Sequence, residues 1–135
     1  MKKIALILSL AVLTCFGLEW RLQAQNQTKK LMMQKLKSAQ AILEGVALAD
    51  FKKINKNADE LIQLTTKEEW HIVKKPRYEL FSNEFRRAAE NLIQKSTDKN
   101  IDGAALAYME LTLTCVRCHQ YVRDLQDVST PSPRP

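Results

Sequence analysis

Apolar residues recur through the middle of the chain at steps of three and four, in four stripes separated by polar breaks. Met32, Leu36, Ala39, Leu43 and Val46 form the first. Phe51, Ile54, Ala58, Leu61 and Thr65 form the second, after a break at Gly45 to Asp50 in which Asp50 can cap the new helix. Tyr78, Phe81, Phe85, Ala88 and Leu92 form the third, behind Pro76, a residue suited to a first helical turn. Ile101, Ala104, Tyr108, Leu111, Cys115, Cys118 and Val122 form the fourth, with Asn100 as its cap. This is the seam spacing of packed helices. It predicts an all-α fold, and an antiparallel four-helix bundle buries all four seams together. Leu36, Phe85 and Leu92 are read as core. A second row on the last helix, Leu106, Met109, Leu113 and Val116, predicts that this helix is covered on two sides. The longest connection runs from Lys67 to Lys75 and contains Trp70 and His71.

The ends of the chain differ from this middle. Residues 1–24 have the layout of a secretory signal peptide. Lys2 and Lys3 make a charged start, Ile4 to Leu18 an apolar centre, and Leu22, Gln23 and Ala24 a small-residue exit. That apolar run is shorter than the roughly 20 residues a spanning helix needs. Cleavage is therefore the reading, with no stable membrane insertion afterwards; retention as an anchor is the alternative, because Trp20 and Arg21 crowd the cleavage region. Residues 25–126 then form one domain. Residues 127–135, DVSTPSPRP, have the Pro- and Ser-rich composition of a disordered tail.

Charge narrows the class further. The chain carries a formal +6, and Lys and Arg never run longer than two in a row. That is no nucleic-acid footprint; it fits a solvated surface with a basic patch for an acidic redox partner protein. There is no catalytic constellation: no serine–histidine pair and no glycine-rich phosphate loop.

The densest chemistry lies in Cys115, Val116, Arg117, Cys118 and His119. C-x-x-C-H is the pattern that attaches a c-type haem. Helical residues three and four apart share a face, so both thiols can reach the vinyl groups on one porphyrin edge while His119 presents an imidazole nitrogen to the iron. The chain has three cysteines, and Cys15 lies in the segment read as removed. A disulfide scaffold would need more cysteines. A Cys2His2 zinc site would need His71 as its fourth ligand. A thioredoxin-like dithiol would need a preceding strand, and no strand pattern is present. Tyr108 and Leu111, seven and four positions before Cys115, are the candidate haem neighbours on the same helix.

With an N-terminal export segment, four amphipathic helices and C-x-x-C-H near the C-terminus, the chain resembles cytochrome c prime and the related cytochrome c556 group. Arg123, four residues past His119, matches a basic residue common in that family. The resemblance covers residues 25–126 in architecture and is specific in residues only around CVRCH; the turn between the first two helices is short for that family. It implies one covalent haem c with His119 as proximal iron ligand, a periplasmic redox or gas-binding role, and a possible homodimer, although no exposed apolar stripe in the sequence demands one. It also implies that the first helix faces the other side of the iron. A Met there makes a six-coordinate electron carrier, and a merely apolar contact leaves the iron open to small gases such as nitric oxide. Met32 shares the seam with Leu36 and Ala39 and is the candidate distal ligand, whereas Met33 is rotated about 100° away. His71 is a weaker alternative in a charged connection. Arg117 and Arg123 are candidates for pairing with haem propionates.

Overall fold

A computed structural model of the protein describes residues 2–67, 70, 71 and 73–129, with side chains described at 23 and from 25 to 127 outside those gaps. Four helices account for nearly all of it: α1 Lys2–Ala47, α2 Phe51–Leu64, α3 Pro76–Thr97 and α4 Ile101–Ser129. No strand occurs among the described residues. Neighbours in sequence pack side by side, α1 on α2, α2 on α3 and α3 on α4, while α1 meets α4 only sparsely. The backbone of 2–24, read from sequence as an export segment, is helical and continuous with the rest of α1. Among the described residues no helix is long and apolar enough to cross a membrane. At the other end, 127–129 extend α4, and 130–135 lie outside the described residues.

Two of the three connections are the same device used twice. In the α1–α2 turn the Asp50 amide donates to the Gly45 carbonyl and the Ala49 amide to Val46. In the α3–α4 turn the Asn100 amide donates to Lys95 and the Lys99 amide to Ser96. Both are Schellman closures, which place the residue after the helix in the left-handed region. Ala49 and Lys99 occupy it, at φ 52° and 54°. The next residue in each turn caps the following helix, as the sequence predicts. The Asp50 carboxylate accepts from the Lys53 amide at 3.0 Å, and the Asn100 side-chain oxygen accepts from the Gly103 amide at 2.8 Å. The buried Ser96 hydroxyl donates to the Phe51 carbonyl at 2.8 Å, tying the two turns together at one end of the bundle. Gly45 lies within α1 and is no helix breaker. Its bare Cα lets α2 approach, since a Cβ there would stand 2.9 Å from Ile54 Cγ1.

The seams of α2 and α3 fall where the sequence places them: Ile54, Ala58, Leu61, Thr65, Tyr78, Phe81, Phe85, Ala88 and Leu92 are all buried. α1 is rotated from its expected setting. Its buried row is Leu31, Lys35, Ser38 and Ile42, whereas Leu36 is 50% exposed and Leu43 is comparably open. The cause is the side from which its neighbours approach. Ser38 donates to Glu60 of α2 at 3.0 Å, and Lys67 beyond α2 donates to Gln34 at 3.4 Å. With α2 on that side, Met32 and Ala39 become a half-buried flank and Leu36 leaves the core. On α4, Ala104, Ala107, Leu111 and Thr114 are buried, but Leu106, Met109, Leu113 and Val116 are exposed. They lie on the opposite side of the helix at 100° per residue, where no described side chain covers them. The expected second covered face of α4 is therefore an open apolar stripe.

Candidate functional site

The CVRCH segment begins 14 residues into α4, about 21 Å from the capped turns at a rise of 1.5 Å per residue. That distance brings it level with the start of α3 and the 65–75 connection, whose aromatic residues build the surroundings. Trp70 is buried, its indole donates to the Ser82 hydroxyl, and the Tyr78 hydroxyl donates to the Trp70 carbonyl. Both ends of the indole-bearing residue are thus fixed to α3. The Trp70 ring leans on Phe85 with centroids 5.2 Å apart. One turn earlier on α3, Phe81 meets Tyr121 of α4 at 5.8 Å, with the Arg77 guanidinium 5.3 Å from the tyrosine ring and 5.7 Å from the phenylalanine. Arg117, between the two cysteines, points to α3 and stands 3.9 Å from Glu84 Oε2. That oxygen is buried and accepts no hydrogen bond, so the guanidinium is its compensation. The Arg117 side chain itself remains half exposed.

Cys115 and Cys118 are free thiols, half-buried, and pack against the core alongside Met32, Tyr108, Tyr121 and Val122. Leu111 is fully buried beneath them, Tyr108 is half-buried, and Arg123 is exposed. Burial pushes the Cys118 thiol up; the charge of Lys35 opposes this and Cys115 adds to it. A raised thiol stays protonated and resists adventitious oxidation. His119 lies on the exposed edge of the segment. Burial, then the positive charges of Lys35 and Arg123, hold its imidazole below the ordinary histidine value. A neutral imidazole is the form that binds a metal.

The donor set suits a haem better than a bare ion. Two sulfurs and one imidazole occupy a single flank within about one helical turn, yet no group of three or more His, Cys, Asp or Glu converges on one point among the described residues. A zinc ion needs four donors converging on one centre; a haem c takes its two thioethers and its iron ligand at three separate atoms. His71, the fourth ligand that zinc would require, is exposed in the 65–75 connection. No protein-family model matches the chain, and no curated protein or solved structure matches it.

The principal residue that pattern reading missed is Lys35. Only 7% exposed, it lies in the buried row of α1 and sets its ammonium 4.2 Å from the Phe85 ring centroid and 4.8 Å from that of Trp70. A charged residue reads as surface in a hydropathy pattern. The available signal was the 31, 35, 38, 42 spacing, which repeats with the helix as well as the more apolar row beside it. Met32 is half-buried on the flank next to Lys35, and Met33 is exposed, in keeping with its rotation.

Proposed function

We propose that the protein is an exported, periplasmic c-type cytochrome: an antiparallel four-helix bundle of the cytochrome c prime and c556 kind that carries one haem c and shuttles single electrons. Cys115 and Cys118 would hold the haem through thioethers, His119 would be the proximal iron ligand, and Met32 the distal one. When bound, the haem supplies a centre that takes up and releases one electron. The observation that carries this reading is the joint placement of the CVRCH donors: two free, half-buried thiols on one flank and, at its edge, the His119 imidazole, which burial and the charges of Lys35 and Arg123 hold below its ordinary value. Tyr108 and Leu111 line that flank from below, and Arg123 adds positive charge beside His119. The test is expression with haem-attachment machinery followed by intact-mass measurement. Added mass of one haem, lost in Cys115→Ser with Cys118→Ser, is the expected result; an unmodified polypeptide overturns the reading.

A second reading, an open five-coordinate iron that binds nitric oxide, is favoured by the sparse meeting of α1, which carries Met32, with α4, which carries His119. The spectrum of Met32→Ala separates the two. If Met32 ligates, its removal converts a low-spin spectrum to high-spin. An unchanged high-spin spectrum in both proteins favours the gas-binding reading.

A further inference from the structure

We propose that Lys35 is a built-in positive charge that raises the reduction potential of the haem held at CVRCH. This deepens the cytochrome reading and rests on it. The side chain is placed by structure on every side. Its Cα sits in the buried row of α1 between Leu31 and Ser38, and its ammonium lies over the faces of Phe85 and Trp70. Trp70 is itself fixed through Ser82 and Tyr78. Phe85 follows Glu84, the partner of Arg117, and lies one turn past Phe81, the partner of Tyr121. Lys35 therefore reaches from α1 to the level of the segment Arg117 to Tyr121.

No carboxylate among the described residues pairs with the Lys35 ammonium. Among the described residues the ion pairs are Lys53 with Glu44 and Arg117 with Glu84, and neither includes Lys35. Ring faces compensate it instead, through the attraction of an ammonium for the π quadrupole. Such compensation leaves the field of the cation largely intact at a distance, whereas a carboxylate would cancel it. The α3 residues beside Lys35 connect it to the attachment segment, since Phe85 under the ammonium adjoins Glu84, the partner of Arg117. A fixed positive charge nearby lowers the energy of an added electron. A unit charge about 10 Å away in a medium of effective dielectric about 20 is worth roughly a tenfold change in a one-electron equilibrium.

The experiment is a spectroelectrochemical titration of the matured haem protein at low and high salt. Lys35→Met and Lys35→Gln keep the length of the side chain and remove its charge, so one remains informative if the other folds poorly. Lys37→Met, on the exposed side of the same helix, is the control for surface charge. The expected result is a midpoint lowered about tenfold, about 59 mV for one electron, in both Lys35 variants. That shift persists in high salt, because a buried charge is poorly screened, and the Lys37 variant shows a smaller one that salt abolishes. Three results overturn the proposal. One is an unchanged midpoint with haem attached. Another is loss of the low-spin spectrum in the Lys35 variants, which would make Lys35 an iron ligand and not a remote charge. The third is absence of covalent haem in the wild-type chain, which removes the cytochrome reading itself and is distinguished from the others by mass alone.

Discussion

Replacing Ala49 and Lys99 by glycine should stabilise the protein, which is opposite to the usual effect of adding glycine to a helical chain. Both residues close a Schellman turn with φ near +50°. A side chain in that conformation brings Cβ against the following carbonyl at roughly 1–2 kcal/mol, and glycine avoids the clash. Against this stands the larger conformational freedom that glycine brings to the unfolded chain, about 0.5–1 kcal/mol. The net gain is about 0.5–1 kcal/mol per site. Neither side chain does other work at its turn: both are exposed, and the closing hydrogen bonds come from backbone amides that glycine retains. The two turns touch through the Ser96–Phe51 hydrogen bond, so the double variant also reports whether they open together. Urea unfolding followed by circular dichroism at the helix band measures each single variant and the pair. The pair should gain about 1–2 kcal/mol, which corresponds to a melting shift on the order of 4–15 °C for a domain of this size. A fall in midpoint at either site would refute the reasoning, because it would mean that the left-handed conformation there carries no strain to relieve.

Gly45→Ala should act in the reverse sense. Its helix propensity gain of about 1 kcal/mol is outweighed by a Cβ placed 2.9 Å from Ile54 Cγ1 and 3.2 Å from the Ile54 amide nitrogen. Overpacking of that kind costs about 1–3 kcal/mol, so the same urea titration should show a lower midpoint, and a stabilised variant would contradict the close packing of α1 on α2. Tyr78 gives a pH prediction. Burial, reinforced by Cys118, lifts its hydroxyl from the ordinary value of 10.0 to about 12. The folded state therefore holds this proton more tightly than the unfolded chain, so stability is intact below pH 10 and declines as pH rises through about 12. Alkaline unfolding should coincide with the rise in tyrosinate absorbance and move to a different pH in Tyr78→Phe. Identical alkaline transitions in the two proteins would show that Tyr78 does not drive the loss.

Much of this organisation is legible in the chain, for reasons that differ by element. Asp50 and Asn100 can be recognised as caps because short polar side chains before apolar periodicity have few other uses there. The seams of α2 and α3 are legible because each has a single apolar row. On α1 and α4 two rows compete, and the sequence does not say which one acquires a neighbour. α1 buries the row with Lys35 and Ser38, whose polar groups meet aromatic rings and Glu60. α4 leaves Leu106, 68% exposed, and its companions facing outward. The left-handed residues escaped notice because neither Ala49 nor Lys99 is a residue type that prefers positive φ. CVRCH needed no tertiary information to be noticed, since its spacing is local; its aromatic surroundings, brought in by Trp70 from a connection, could be found only in three dimensions.

The bundle has two unlike poles. Where Ser96 clasps Phe51, the links are only a few residues long. At the opposite pole the single long link supplies Trp70, which packs on Phe85 and lies under the Lys35 ammonium. Insertions, fused domains or immobilising tags therefore belong at the clasped pole, while shortening the 65–75 link would pull Trp70 out of the core and unsettle the start of α3.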